Sequence, residues 1–273
     1  ITFTAPTTVY VDDDWTSQAA FNLDTDVDDG TLAAETATFG ATAFGTIAAA
    51  LASVAPGGTI IINNGDYSTE AITLADGKTI EITGPDAAAT VKIGSLASGT
   101  TESIIIEGTS TLELGANNGS TTIANGITGT GSLTKVGTGT LTLTGAGADD
   151  NTYTGLTHVQ AGTLTVGGGF ATDAAIKGNI TVDNGATFNL AQSNILANNS
   201  LLTANGTFNI GGFSEIIGGI NGTTGDITGS GGTLNLDLIN GTTTTYAGAI
   251  TGAGVGAAAI NFGLRGYNDD GSG

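Results

Sequence analysis

The chain has 273 residues, 46 of them glycine and only 3 proline, with 25 acidic against 5 basic side chains for a net charge of −20. A surface that acidic repels phosphate backbones and anionic lipids, which excludes nucleic-acid and membrane-surface roles. The hydrophobic share of 39% is too high for disorder, and the glycine has no triplet period, which excludes a collagen-like chain.

Neither cysteine nor methionine is present, so no disulfide or thiol chemistry operates and a core must supply the stability. The absence of both oxidisable sulfur residues suits an exposed life. No run is long and apolar enough for a membrane span, and residue 1 does not open a signal peptide, as expected of a processed secreted protein.

Residues 1–11 (ITFTAPTTVYV) read as strand interrupted by Pro6, which suits an edge. Asp12, Asp13 and Asp14 end it, and residues 21–35 form an acidic loop. Within that loop Asp24, Asp26 and Asp28 fall at positions 1, 3 and 5, with Glu35 at position 12, the spacing of a calcium loop. Asp29 adds a further oxygen ligand. The turn glycine stands at position 7 and not 6, and no helices flank the loop. Two readings stay open: an irregular calcium loop, or a solvated acidic loop.

Residues 42–54 (TAFGTIAAALASV) are the one predicted helix, with Ile47, Leu51 and Val54 on one face and Pro56-Gly57-Gly58 as its stop. Strand, turn and strand then alternate through TIII at 59–62, residues 71–74 and KTIEI at 78–82. Residues 45–84 resemble the start of pectate-lyase-like β-helices, where a short amphipathic helix caps the first coil and a Gly-Asp-Tyr-type turn follows. A cap is physically required, because an open coil end exposes apolar core and unpaired backbone.

Short strands continue through VKI, SIIIE, STLEL and TTI between residues 91 and 123, and become regular from residue 129. In Thr140-Leu141-Thr142-Leu143-Thr144 leucines and threonines alternate with period 2, the mark of a half-buried strand. The phrase returns at Thr163, Thr187, Thr207 and Thr233, at intervals of 23, 24, 20 and 26 residues. Such periods with no helical spacing between them predict a solenoid whose coils stack on one another. Residues 129–145 (GTGSLTKVGTGTLTLTG), NTYTG at 151–155 and HVQAGTLTV at 158–166 resemble the strand repeat of autotransporter passenger domains. That resemblance implies a right-handed parallel β-helix displayed outside a bacterial cell. Nothing in the sequence resembles the C-terminal outer-membrane barrel of such proteins, so the expectation is a cleaved passenger or a borrowed repeat.

The predicted fold is therefore all-β, a right-handed parallel β-helix of about nine coils with a short N-terminal capping helix. Residues 1–41 form an N-terminal strand and acidic loop, 42–56 the cap, 57–263 the β-helix and 264–273 a tail. Asp269 and Asp270 near one end and Asp12, Asp13 and Asp14 near the other suggest end-to-end association of copies, with calcium between repelling carboxylates. His158, the one histidine, reads as a surface residue of a rung and not as a general base. Glu81, Glu102, Glu107 and Glu113 are the acids that could supply a glycosidase pair. Sugar platforms are scarce in a chain 5% aromatic with one Trp. Six Asn-x-Ser/Thr sequons, at Asn118, Asn179, Asn198, Asn205, Asn221 and Asn240, read as turn chemistry. The leading expectation is a non-catalytic extracellular structural protein, a surface or filament subunit. The alternatives are a polysaccharide-binding or polysaccharide-cleaving β-helix, with a surface glycan as partner, and an adhesin passenger.

Overall fold

The computed structural model describes residues 4–15, 40–83, 89–145, 151–170, 175–238, 244–252 and 259–263. In these residues the alternating runs form short strands, and every ladder between them is parallel. The chain winds through three faces per turn. The first face stacks Thr8–Val11, Thr59–Ile62, Thr79–Ile82, Ser103–Ile106 and Ile127–Gly129. It thins to isolated backbone bonds at Thr152, Tyr153 and Thr154 and to a bridge between Ile176 and Leu196, then resumes at Ser214–Ile217, Thr233–Asp237 and Ala259–Gly263.

The second face begins with the N-terminal halves of the long strands Gly65–Leu74 and Thr90–Ser98. It continues through Thr111–Leu114, Ser132–Lys135, Thr157–Val159, Ile180–Val182, Leu201–Ala204 and Gly219–Asn221. The third face begins with the C-terminal halves of the same two strands. It continues through Thr121–Ile123, Thr140–Leu143, Thr163–Val166, Thr187–Leu190, Thr207–Gly211, Asp226–Gly229 and Ala249–Gly252. The result is an all-β parallel solenoid of about eight turns.

Register carries the alternation inward at every turn. Leu141, Leu164, Phe188, Phe208 and Ile227 stack in one interior row, none more than 2% exposed. Removing each such side chain from water contributes about 1.5–3 kcal/mol. The rings of Phe188 and Phe208 stack with centroids 5.4 Å apart and planes 27° apart. Phe188→Ala is expected to cost about 3–5 kcal/mol, because the rungs on either side are fixed by backbone bonds and cannot collapse into the void. A denaturant midpoint unchanged from wild type would contradict this packing.

One expectation from the period is corrected. The ladder places Asp226, not Thr233, on Thr207, while Thr233 sits on Ser214 of the first face. Period-2 alternation reports which side chains point inward but not which face a strand occupies, and the strand that follows Thr207 on the third face opens with Asp.

The abundance of glycine has a physical cause at the corners. Gly131, Gly155 and Gly178 precede successive strands of the second face. A Cβ on Gly155 would lie 2.2 Å from the Gly131 carbonyl oxygen, and one on Gly178 would lie 1.9 Å from that of Gly155. Gly206, Gly225 and Gly248 repeat the arrangement before third-face strands, with a Cβ on Gly225 2.3 Å from the Gly206 oxygen and one on Gly248 1.9 Å from the Gly225 oxygen. Each corner rests directly on the backbone of the corner beneath.

At the N-terminal end the helix Ile47–Ser53 packs against Thr8–Val11, Ala43–Phe44, Thr59–Ile62 and Gly65–Leu74. Ile47 and Ala50 are buried, and Leu51 is packed against the core. Thr46 caps it by accepting from the Ala49 N–H at 3.2 Å. Glu70, on the strand below, accepts from Ile47 N at 3.2 Å and Ala48 N at 2.9 Å. These are N–H groups that a helix start leaves without intrahelical partners. Among the described residues no helix is long and apolar enough to cross a membrane.

Candidate functional site

The acids proposed from spacing fall into two groups. Asp24, Asp26, Asp28, Asp29, Glu35, Asp269 and Asp270 lie outside the described residues. Asp12, Asp13 and Asp14 are described, and two of their carboxylates serve the backbone. Asp12 is buried and its Oδ1 accepts from Asp14 N at 3.0 Å, while Asp13 Oδ2 accepts from Asp66 N at 3.0 Å. Among the described residues no group of three or more His, Asp or Glu side chains is placed to hold a metal ion. The acids do concentrate negative potential. The buried Tyr67 hydroxyl, which donates to the Asn64 carbonyl at 3.1 Å, has its pKa pushed up by burial and then by Asp13, Asp12, Glu70 and Asp14.

Of the four candidate glutamates, Glu81 and Glu107 lie close enough for their charges to interact, while Glu102 and Glu113 stand elsewhere. Glu102 is buried and accepts from Thr101 Oγ1 at 2.8 Å, Gly77 N at 3.3 Å and Thr101 N at 3.3 Å. Glu113 stands on the second face in register with Lys92 and Thr134. Glu81 lies on the first face, its carboxyl pKa raised by partial burial and then by the charge of Glu107.

For Glu102, burial raises the pKa, but the Thr101 hydroxyl and the Gly77 amide outweigh it and leave the carboxyl below its ordinary value of 4.5. The unfolded chain therefore binds this proton more readily than the folded one. The stabilisation is full above 4.5 and is lost as pH falls through the lowered folded value. Wild type is expected to lose its denaturation midpoint more steeply on acidification than Glu102→Gln. Parallel curves would remove Glu102 from the acid response.

His158 sits on the second face in register with Thr134 and Thr181, as expected of a rung residue. Its Nε2 lies 2.9 Å from Asp183 Oδ2, one turn further on. The pair ties two turns together whenever the imidazole is protonated or donates from that nitrogen.

Lys135 was not singled out from the sequence, yet it is 1% exposed. Its ammonium turns into the corner between the second and third faces and donates to Val136 O at 2.6 Å, Gly137 O at 2.9 Å and Ala161 O at 3.2 Å. Three donors meet three carbonyls, so the charge is hydrogen-bonded without a carboxylate. Burial lowers its pKa. The signal was parity: Lys135 is two residues from the inward Leu133. Lys135→Met is expected to cost about 2 kcal/mol by leaving three partly buried carbonyls without this donor. A melting temperature equal to wild type would refute that role.

The sequon asparagines act between turns. The Oδ1 atoms of Asn118, Asn179, Asn205 and Asn221 accept from the backbone N–H of Thr138, Leu201, Thr223 and Thr245 at 2.8, 3.0, 3.1 and 3.0 Å. Asn198 is exposed, and Asn240 lies outside the described residues.

The segment from Leu133 to Val166 runs from one second-face strand through the next to the third face. It holds Lys135 and also the buried Tyr153, whose hydroxyl lies 2.7 Å from Thr157 Oγ1. The comparisons single out this segment: residues 133–166 match the family model described as passenger-associated-transport-repeat. That match does not extend to residues 45–84, and the likeness to a pectate-lyase-like cap is not shown. No curated protein and no solved structure matches the chain. The turn that holds Lys135 and Tyr153 thus matches a passenger-associated transport repeat and is set within a parallel β-solenoid.

Proposed function

We propose that this chain is a non-catalytic passenger segment of the autotransporter kind, a β-solenoid stalk exposed outside a bacterial cell. The observation that carries the reading is a transport repeat embedded in continuous parallel ladders, with strands in register both before and after it. A non-catalytic role is supported by the use of Glu102, one of the four candidate glycosidase acids, whose carboxylate holds backbone amides. Fusing the chain upstream of an outer-membrane barrel tests the reading. Intact cells should present it to antibody and external protease. Retention inside the cell, or polysaccharide turnover abolished by one carboxylate substitution, would overturn it.

End-to-end association of copies and a calcium-linked contact are the finer parts of the proposal. Ile250 supports association: it is in register with the inward Ile227, yet 47% exposed on the last third-face strand among the described residues. Calcium rests on the acid spacing of the sequence. Rods under the electron microscope that shorten on chelation would support both parts. A monodisperse monomer in calcium-containing buffer would remove the association, and a melting temperature unmoved by chelator would remove the ion.

A further inference from the structure

The outward side of the third face carries threonine in two parallel rows. Thr140, Thr163, Thr187 and Thr207 stand in register as one row. Two residues along each strand a second row holds Thr142 and Thr165 before passing to asparagine. No bulge interrupts this register until the step after Asn209. The outward positions from strand Thr121–Ile123 to Asn209 carry no charge, in a chain of −20. The second face, by contrast, shows Lys92, Glu113 and His158.

The hydroxyls therefore repeat about 4.8 Å apart up the stack and about 6.6 Å apart along each strand. A ligand for this array must be neutral, extended and periodic in two directions. A polysaccharide fits poorly, because the outward positions of the face hold threonine and asparagine and no aromatic platform. A second copy fits poorly too: two rows over five rungs offer about 400 Å² per partner, half of what stable association uses. The surface of ice meets every requirement, since its water oxygens recur at similar spacings over unlimited area. Threonine suits that surface, because its methyl group excludes disordered water while its hydroxyl joins the lattice. Its β-branched χ1 is stiff, so little side-chain freedom is lost on contact.

We propose that the third face binds ice. The experiment uses the whole purified chain, with freezing hysteresis and ice-recrystallisation inhibition as readouts. Wild type is expected to shape growing crystals and hold the freezing point below the melting point. T142K/T165K is expected to lose most of that activity. T181K/T203K, in register on the second face, is expected to keep it. Circular dichroism shows whether each variant is folded. Absence of hysteresis and inhibition in wild type would overturn the proposal, as would equal loss in both folded variants. A wild-type dimer that T142K/T165K dissolves would assign the face to a second copy instead.

Discussion

Glu215→Ala is expected to cost about 4 kcal/mol, a large part of the 5–15 kcal/mol that holds an ordinary domain together. Glu215 points into the interior from strand Ser214–Ile217 and is 0% exposed. Its Oε1 accepts from Ile195 N at 2.9 Å and its Oε2 from Leu196 N at 3.2 Å. These two residues belong to the stretch where the first face lacks a regular ladder, so a side-chain carboxylate takes the place of strand carbonyls. Alanine would leave both buried N–H groups without these acceptors, at about 1–3 kcal/mol each, and would open a void as well. Glu215→Gln keeps the shape and one good acceptor, so it should lose about half as much. Urea midpoints measure both variants, and hydrogen exchange at 195–196 locates the damage. A loss within error for the alanine variant would show that the carboxylate is dispensable there.

Gly155→Ala is the second large expected effect, at about 3 kcal/mol. Its new Cβ would meet the carbonyl oxygen and carbon of Gly131 at 2.2 and 2.5 Å. Both are backbone atoms held by the turn beneath, so the clash is relieved only by prising two turns apart. That motion would break the 3.1 Å bond from Gly155 N to Gly131 O and the 3.1 Å bond from Leu156 N to Ser132 Oγ. Gly212 is the control. A Cβ there has only Ser230 O within 4 Å, at 3.6 Å, and no positive φ stands against it. Gly212→Ala should be neutral or slightly stabilising, through a less flexible unfolded chain. Equal falls in melting temperature for the two variants would refute the stacked-corner account.

Much of the architecture was legible. Thr140–Leu143 and Thr163–Val166 were visible as alternating runs and Thr59–Ile62 and Ser103–Ile106 as short apolar ones, whereas the helix predicted from residue 42 begins only at Ile47, because Ala43–Phe44 pair as a strand with Tyr10–Val11. Alternation depends only on neighbours two residues apart, so it survives without knowledge of the rest of the chain. The face to which a strand belongs depends on corner lengths, which is why Thr233 was placed on the wrong one. The inward polar residues were hidden for a different reason. Lys135 and Glu215 are worth burying only because specific backbone groups of neighbouring turns lack strand partners, and no local pattern records that shortage. The acidic residues at 12–14 were seen as ion ligands, while the folded chain uses Asp12 and Asp13 to hold its own amides. For the sequons the turn reading agrees with the geometry: the asparagine side chain is spent on the following turn.

The direction of the ladders has a mechanical consequence. In a stack of parallel turns the backbone bonds between rungs lie along the rod, so tension applied along that axis loads them one rung after another. From Thr140 to Thr163 to Thr187 a turn takes 23 and then 24 residues. Each turn adds about 5 Å to the folded rod but would release about 75 Å of extended chain. A tether of this kind pays out at low, nearly constant force instead of snapping at a single threshold. Single-molecule stretching should trace a long plateau, one step per turn.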